Sequence, residues 1–292
     1  MVNFMADQAE GLRRILAASR TRTVAIVGGT RGAGTTSCLV NLARALARQG
    51  KRVLIVDENH SSTNVAATLG LQARFDLKQV IEGYCRLSDA LLHGADGIMV
   101  LPASRAAIAL PKLDVLMEQR AVQCFAQLER TSDIVLLDVR NDAEEPSAFA
   151  NAAQEVIVVV SPGPSSITGG YSAVKRMTRS HGRKRFHILV NRAQDSETAD
   201  LVYKNMAQAA STHLDVALEL MGALPHDPAV SAAVRRYAPA FETPSADASR
   251  HFSEQASAML RWSAPKEDTS RLDNFMKRAI YGSRLLAAGA GA

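Results

Sequence analysis

The sequence predicts an α/β domain in which helices cover a doubly wound, mostly parallel sheet. Three observations carry that prediction. Short apolar runs recur along the chain without polar alternation, as suits strands buried on both faces. Helical patterns separate these runs. Glycines, aspartates, an asparagine and prolines gather at their carboxyl ends, where ligands sit in sheets of this kind.

Taken in order, Val24 to Val27 is the first strand, and Gly28-Gly29-Thr30-Arg31-Gly32-Ala33-Gly34 follows it. A helix is expected from Thr35 to about Gln49, with Leu39, Leu42, Ala43 and Leu46 on one face and Gly50 as its stop. Val53 to Val56 ends at Asp57, Ile98 to Leu101 ends at Pro102, and Ile134 to Leu137 ends at Asp138. Val156 to Val160 leads into Ser161-Pro162, His187 to Val190 into Asn191, and Leu218 to Leu224 into Pro225.

Composition bounds the function classes. The 292 residues carry 34 Lys+Arg against 29 Asp+Glu, a net charge of +5, and 47% of them are hydrophobic. That excludes a disordered chain, and the mild basic excess permits an acidic partner surface. Cys38, Cys85 and Cys124 are far apart and lack CxxC spacing, so neither a disulfide framework nor a cysteine zinc site is expected. No apolar run reaches the length of a membrane span, and Asp7 and Glu10 argue against a signal peptide. The organisation expected is an N-terminal arm (1–22), one α/β domain (23–262), a polar linker (263–270) and an amphipathic helix (271–287).

A strand, a glycine-rich loop and a helix in that order make a phosphate-binding element. Glycines let backbone amides close around oxyanions, and the helix N-terminus adds its dipole. Such loops usually continue Gly-Lys-Ser/Thr, with the lysine on the phosphates and the hydroxyl on Mg²⁺. Here Gly34 is followed by Thr35, Thr36 and Ser37, so the hydroxyl is present and the lysine is absent. Arg31 is the cation of the loop.

The segment Thr30 to Ser37 resembles the deviant Walker loop of MinD/ParA ATPases, Lys-Gly-Gly-x-Gly-Lys-Thr-Thr. The resemblance continues in order through Val53-Leu54-Ile55-Val56-Asp57-Glu58-Asn59, Asn64, Leu69-Gly70, Ser161 to Thr168, Val190-Asn191-Arg192 and Gly222 to Asp227. It covers roughly residues 23 to 262 and implies the MinD-like P-loop fold of the SIMIBI class, with ATP and Mg²⁺ as cofactors. It places Gly32, Ala33, Gly34, Thr35, Thr36, Ser37, Asn191 and Pro225 at the nucleotide, with Asn191 reading the adenine edge. Thr36 and Asp138 would hold Mg²⁺, Asp138 through water, while Asp57 and Asn59 occupy the catalytic positions. Three charged groups of the family are neutral here: Thr30 and Thr35 stand where it has lysines, and Asn59 where an aspartate positions the attacking water. An amide can hold water but cannot take its proton. Phosphoryl transfer depends on positioning and charge, so little turnover is expected. A working ATPase with Arg31 in place of the lysine is the alternative.

Both ends carry further signals. Asp7-Gln8-Ala9-Glu10-Gly11-Leu12-Arg13 resembles the N-terminal motif of the flagellar-number regulators of the FlhG/FleN type. There this segment docks on an FlhF-type GTPase and stimulates it, which implies partner-activating roles for Asp7, Gln8, Leu12 and Arg13. A glutamine suits such a role because its amide orients water or contacts phosphate oxygens. At the other end, Leu272, Phe275, Met276, Ala279 and Ile280 form an apolar stripe, with Lys277 and Arg278 on a basic face. A basic amphipathic helix behind a polar linker suits an anionic membrane surface, and it also suits a protein core. The resemblance favours the membrane and implies a cytoplasmic protein peripheral to the inner face of the bacterial inner membrane. It further implies an ATP-driven homodimer and a link to a transcriptional regulator of flagellar genes. The run Lys175 to Arg185 is basic but has no interleaved Phe, Tyr or Trp, so ParA-like binding of nucleic acid is disfavoured. The seven histidines show no metal-ligand spacing.

Overall fold

A computed structural model of the chain describes residues 21–139, 147–228, 246–263 and 271–289. The arm residues Asp7, Gln8, Leu12 and Arg13 and nearly all of the 263–270 linker lie outside these residues. The strands are β1 (Arg22–Gly28), β2 (Val53–Asp57), β3 (Leu92–His93), β4 (Met99–Pro102), β5 (Ile134–Asp138), β6 (Glu155–Val160), β7 (Arg185–Ala193) and β8 (Ala217–Pro225). They form one sheet in the order β3-β4-β2-β5-β1-β6-β7-β8. Every pairing is parallel except β3 with β4. The doubly wound parallel sheet is therefore as predicted. The two-residue antiparallel edge β3 is an addition, too short to leave a periodic signal in the sequence.

The helices are α1 (Thr35–Arg48), α2 (Val65–Thr68), α3 (Leu77–Glu82), α4 (Leu87–Ala90), α5 (Ser104–Ala109), α6 (Val115–Glu129), α7 (Ala148–Ala152), α8 (Pro164–His181), α9 (Ser196–His213), α10 (Ala246–Leu260) and α11 (Leu272–Gly289). Alternate strand residues feed two cores. Val24, Ile26 and Ile55 face α1 and α10, meeting Leu39, Leu42, Leu46, Phe252 and Met259. Ala25, Val56 and Leu137 face the other helices, meeting Phe125, Phe149, Val174, Met206 and Phe275. Because both faces are covered, the central strands are apolar throughout, as the runs implied.

Helix α11 corrects one expectation. Leu272, Phe275, Met276 and Ala279 are fully buried and Ile280 is 1% exposed. The stripe packs on α6, α7 and the 3-10 turn Leu110–Lys112. The Phe275 ring centroid lies 5.6 Å from that of Phe125 and 6.0 Å from that of Phe149. Arg278, expected on a lipid-facing surface, instead donates to the Ala152 carbonyl at 3.0 Å. Arg284 donates to Leu113 O and pairs with Glu118, both at 2.9 Å. Lys277 is exposed and pairs with Asp273 at 3.3 Å. In this arrangement Leu272, Phe275, Met276 and Ile280 are core residues and cannot present to a membrane. The physical reason is that lipid and a protein core ask for the same apolar stripe.

The basic run before β7 also resolves into structure. Arg183 donates to the carbonyls of Asn151, Ala153 and Gln154 at the end of α7. Burial pulls its pKa down to about 10. Lys184 pairs with Asp215 at 2.7 Å and Arg185 with Glu219 at 2.8 Å.

Candidate nucleotide site

The site lies at the carboxyl ends of β1, β2, β5 and β7, and the glycine loop is its floor. β1 ends at Gly28, and the chain turns through Gly32 (φ 85°) and Gly34 (φ 89°) into α1. Gly34 caps α1 with no side-chain hydrogen bond, and no acidic residue occupies the first turn. The helix thus begins with its positive dipole end facing the loop. Gly34 is fixed twice over: its φ is left-handed, and a Cβ there would lie 2.4 Å from Asn191 Nδ2. Behind the loop, a Cβ on Gly169 of α8 would lie 1.7 Å from the Gly29 carbonyl oxygen, so helix and loop touch backbone to backbone.

Two carboxylates stand beside the helix start. Asp57 and Asp138 end neighbouring strands and pair in register. Thr36 Oγ1 donates to Asp138 Oδ2 at 2.8 Å, and Asn59 Nδ2 donates to Thr36 Oγ1 at 3.3 Å. Asp57 accepts from the backbone N–H groups of Asn59 at 3.0 Å and Val65 at 2.9 Å. Burial pushes the Asp57 carboxyl well above its usual range, with the Asp138 charge adding to the rise. Burial also raises Asp138 to about 6, against the lowering hydrogen bonds from Thr36 and Asn59. Two buried acids side by side resist carrying two negative charges, and a cation between them would relieve that resistance.

The strand β7 supplies the third wall. Asn191 Nδ2 donates to Ala33 O at 2.8 Å, and Arg192 Nη1 donates to Gly32 O at 3.1 Å. Pro225 ends β8 opposite Ala193. Thr35 is buried, whereas Arg31 is exposed. Ser37 Oγ is buried with no hydrogen-bond partner.

These residues fit a Mg²⁺-bound nucleotide in part. The Thr36 hydroxyl and the two carboxylates are hard oxygen donors of the kind Mg²⁺ takes. The open N-terminus of α1 and the orphaned Ser37 hydroxyl suit phosphate oxygens. What the loop lacks is a side-chain cation of its own at Thr30 and Thr35. The structure brings Gly32, Ala33, Gly34, Thr35, Thr36, Ser37, Asp57, Asn59, Asp138 and Asn191 together at one end of the sheet. It adds Arg192 and Gly169, which the sequence alone did not single out. Only the pattern Val190-Asn191-Arg192 hinted at the first.

Comparison with known proteins agrees with this architecture. The family pattern described as the CobQ/CobB/MinD/ParA nucleotide binding domain matches residues 24–240. The antiactivator FleN of Pseudomonas aeruginosa is 33% identical over 261 residues, which span 89% of this chain and 93% of FleN. The flagellum site-determining protein YlxH of Helicobacter pylori is 22% identical over 224 residues, spanning 74% and 72% of the two chains. The septum site-determining protein MinD of Pyrococcus horikoshii, solved with Mg-ADP, superposes with a TM-score of 0.62 at 21% identity, over 82% of this chain and 96% of MinD. On this evidence the chain belongs to the CobQ/CobB/MinD/ParA family of nucleotide-binding domains, with the antiactivator FleN among its relatives.

Proposed function

We propose that the chain regulates flagellar number or placement through protein partners, and that its nucleotide site binds without efficient turnover. The likeness to FleN over nearly the whole chain supports the first part. The second rests on the site itself, which keeps its amide, hydroxyl and carboxylate frame while Thr30, Thr35 and Asn59 are uncharged. Removing one positioned charge donor costs roughly two to three orders of magnitude in rate, so losing several leaves slow hydrolysis at most. The Asn59 side chain is also occupied, donating to Thr36 and accepting from Ser61 N at 3.0 Å.

The arm containing Asp7, Gln8, Leu12 and Arg13 would act on an FlhF-type GTPase. Attachment to anionic lipid through Lys277 and Arg278 would require α11 to leave its place in the core, and a nucleotide-driven homodimer is one setting for that. Nucleic acid is a poor partner for the Arg183–Arg185 run, since Arg183 is committed to α7 carbonyls and its two neighbours to ion pairs.

Calorimetric titration of the full chain with Mg-ADP and Mg-ATP, read beside phosphate release, tests the site. Heat without phosphate is expected, and rapid phosphate release would overturn the reading. Adding the full chain to an FlhF-type GTPase tests the arm. Faster GTP hydrolysis, lost in Gln8→Ala, is expected, whereas an unchanged rate would remove that role.

A further inference from the structure

We propose that the pocket where α3 and α5 begin is a docking site for an acidic peptide segment of a partner protein, anchored by one apolar side chain. The pocket has a volume of about 330 Å³. Arg74, Phe75, Arg105 and Ile108 line it, together with His60 and Asn64 from the segment after β2. No residue of the glycine loop does.

One buried carboxylate fixes the walls. Asp76 is 5% exposed and caps α3, accepting from Lys78 N at 2.9 Å. It also accepts from Arg105 N and Ala106 N, both at 3.1 Å, at the start of α5. Ser104 Oγ donates to it at 3.4 Å. The residues just before α3, Arg74 and Phe75, are thereby held at the same pocket as Arg105 and Ile108. The last two are three positions apart and share a face of α5. Behind them the sheet is rigid: Pro102 pairs with Asp57, and Ala103 N donates to Asp57 O at 2.8 Å.

The exposed groups set the chemistry of the occupant. Arg74 and Arg105 are exposed, and neither side chain has a hydrogen bond or ion pair among the described residues. By contrast, Arg44, Arg52, Lys184 and Arg185 all pair with carboxylates. Asp76, the carboxylate in the lining, is already taken up by the donors above. Two guanidinium groups are therefore left for carboxylates from outside, which their planar forks meet in pairs. Phe75 is 36% and Ile108 61% exposed beside them. Arginine with aromatic and aliphatic surface is the composition of energetically dominant patches in protein interfaces. The volume lies near the lower bound of small-molecule pockets, so it suits a side chain of a passing segment more than a whole cofactor.

The test is to pan a phage-displayed library of random peptides, about twelve residues long, on the full chain. The selected peptides are then titrated by fluorescence polarisation. We expect them to be rich in Asp and Glu around one Leu, Ile or Phe. Their affinity should fall at least about tenfold in Arg74→Glu and in Arg105→Glu, and by less in Ile108→Ser. These side chains are exposed and Asp76 is untouched, so thermal unfolding should match that of the unaltered chain. Selected peptides without acidic residues overturn the inference. So does acidic-peptide binding that survives both charge reversals, or that is indifferent to Ile108→Ser. Failure to select any peptide also overturns it, and retention on phosphatidylglycerol vesicles lost in Arg105→Glu would then reassign the surface to lipid.

Discussion

At the carboxyl ends of the strands the molecule leaves charge unbalanced; along the flank of α6, α7 and α11 it balances charge with care. Asp57 and Asp138 lie buried side by side with both carboxyls raised. On the flank, Arg278 meets Ala152 O, Arg284 meets Leu113 O and Glu118, and Arg183 meets three carbonyls near the end of α7. Buried charge that the fold itself satisfies holds the fold together. Buried charge that it leaves unsatisfied marks a place prepared for something else. The difference separates residues that look alike in sequence: the arginines of α11 are structural, whereas Arg192 borders an incomplete site.

The contrast can be broken most forcefully on the flank. Phe275→Ala should destabilise the chain by about 3–5 kcal/mol in urea unfolding, because it opens a cavity between Phe125 and Phe149. A change below about 1 kcal/mol would mean that α11 is not part of the core. Gly169→Ala probes the seam between α8 and the loop. Its Cβ must displace Gly29, so a loss of about 1–3 kcal/mol together with weaker Mg-ADP binding is expected. Full retention of binding would show that the loop does not depend on that seam.

Asp138→Asn sharpens the other side, and here the sign is opposite. The folded state lifts the Asp138 pKa to about 6 from 3.8, so it keeps a proton that the unfolded chain has already released. The resulting stabilisation is present below about 3.8 and lost as pH rises through about 6. At pH 8 the amide should therefore raise stability, by about 1–3 kcal/mol, and flatten the profile across that window. Lower stability at pH 8 would mean that Asp138 is already balanced. The smallest effect is expected for Lys184→Ala, within about 0.5 kcal/mol, since its pair with Asp215 is exposed.

Much of this was legible in the sequence because burial on both faces writes itself as unbroken apolar runs. The ends of β2, β5 and β7 at Asp57, Asp138 and Asn191 could be read directly, as could the loop from Gly32 to Ser37. Three features could not be. Arg192 reaches Gly32 across 160 positions of chain, a distance over which no local pattern carries information. The raised carboxyls depend on the register of β2 with β5, which only the assembled sheet sets. The destination of α11 was hidden because its periodicity fixes which face is apolar and leaves open what covers that face.

The docked α11 has a consequence best seen as partition between two solvents. Moving Leu272, Phe275, Met276, Ala279 and Ile280 from core to lipid exchanges one apolar medium for another, so the helix itself gains or loses little. The balance is set by what stays behind. Phe125 and Phe149 would turn toward water, at about 1.5–3 kcal/mol for each side chain left fully exposed, and the Ala152 and Leu113 carbonyls would lose their arginines. Any partner or second copy that fills this vacancy with its own apolar side chains removes that penalty. Undocking is therefore an exchange reaction, and its equilibrium is governed by whatever competes for the empty seat.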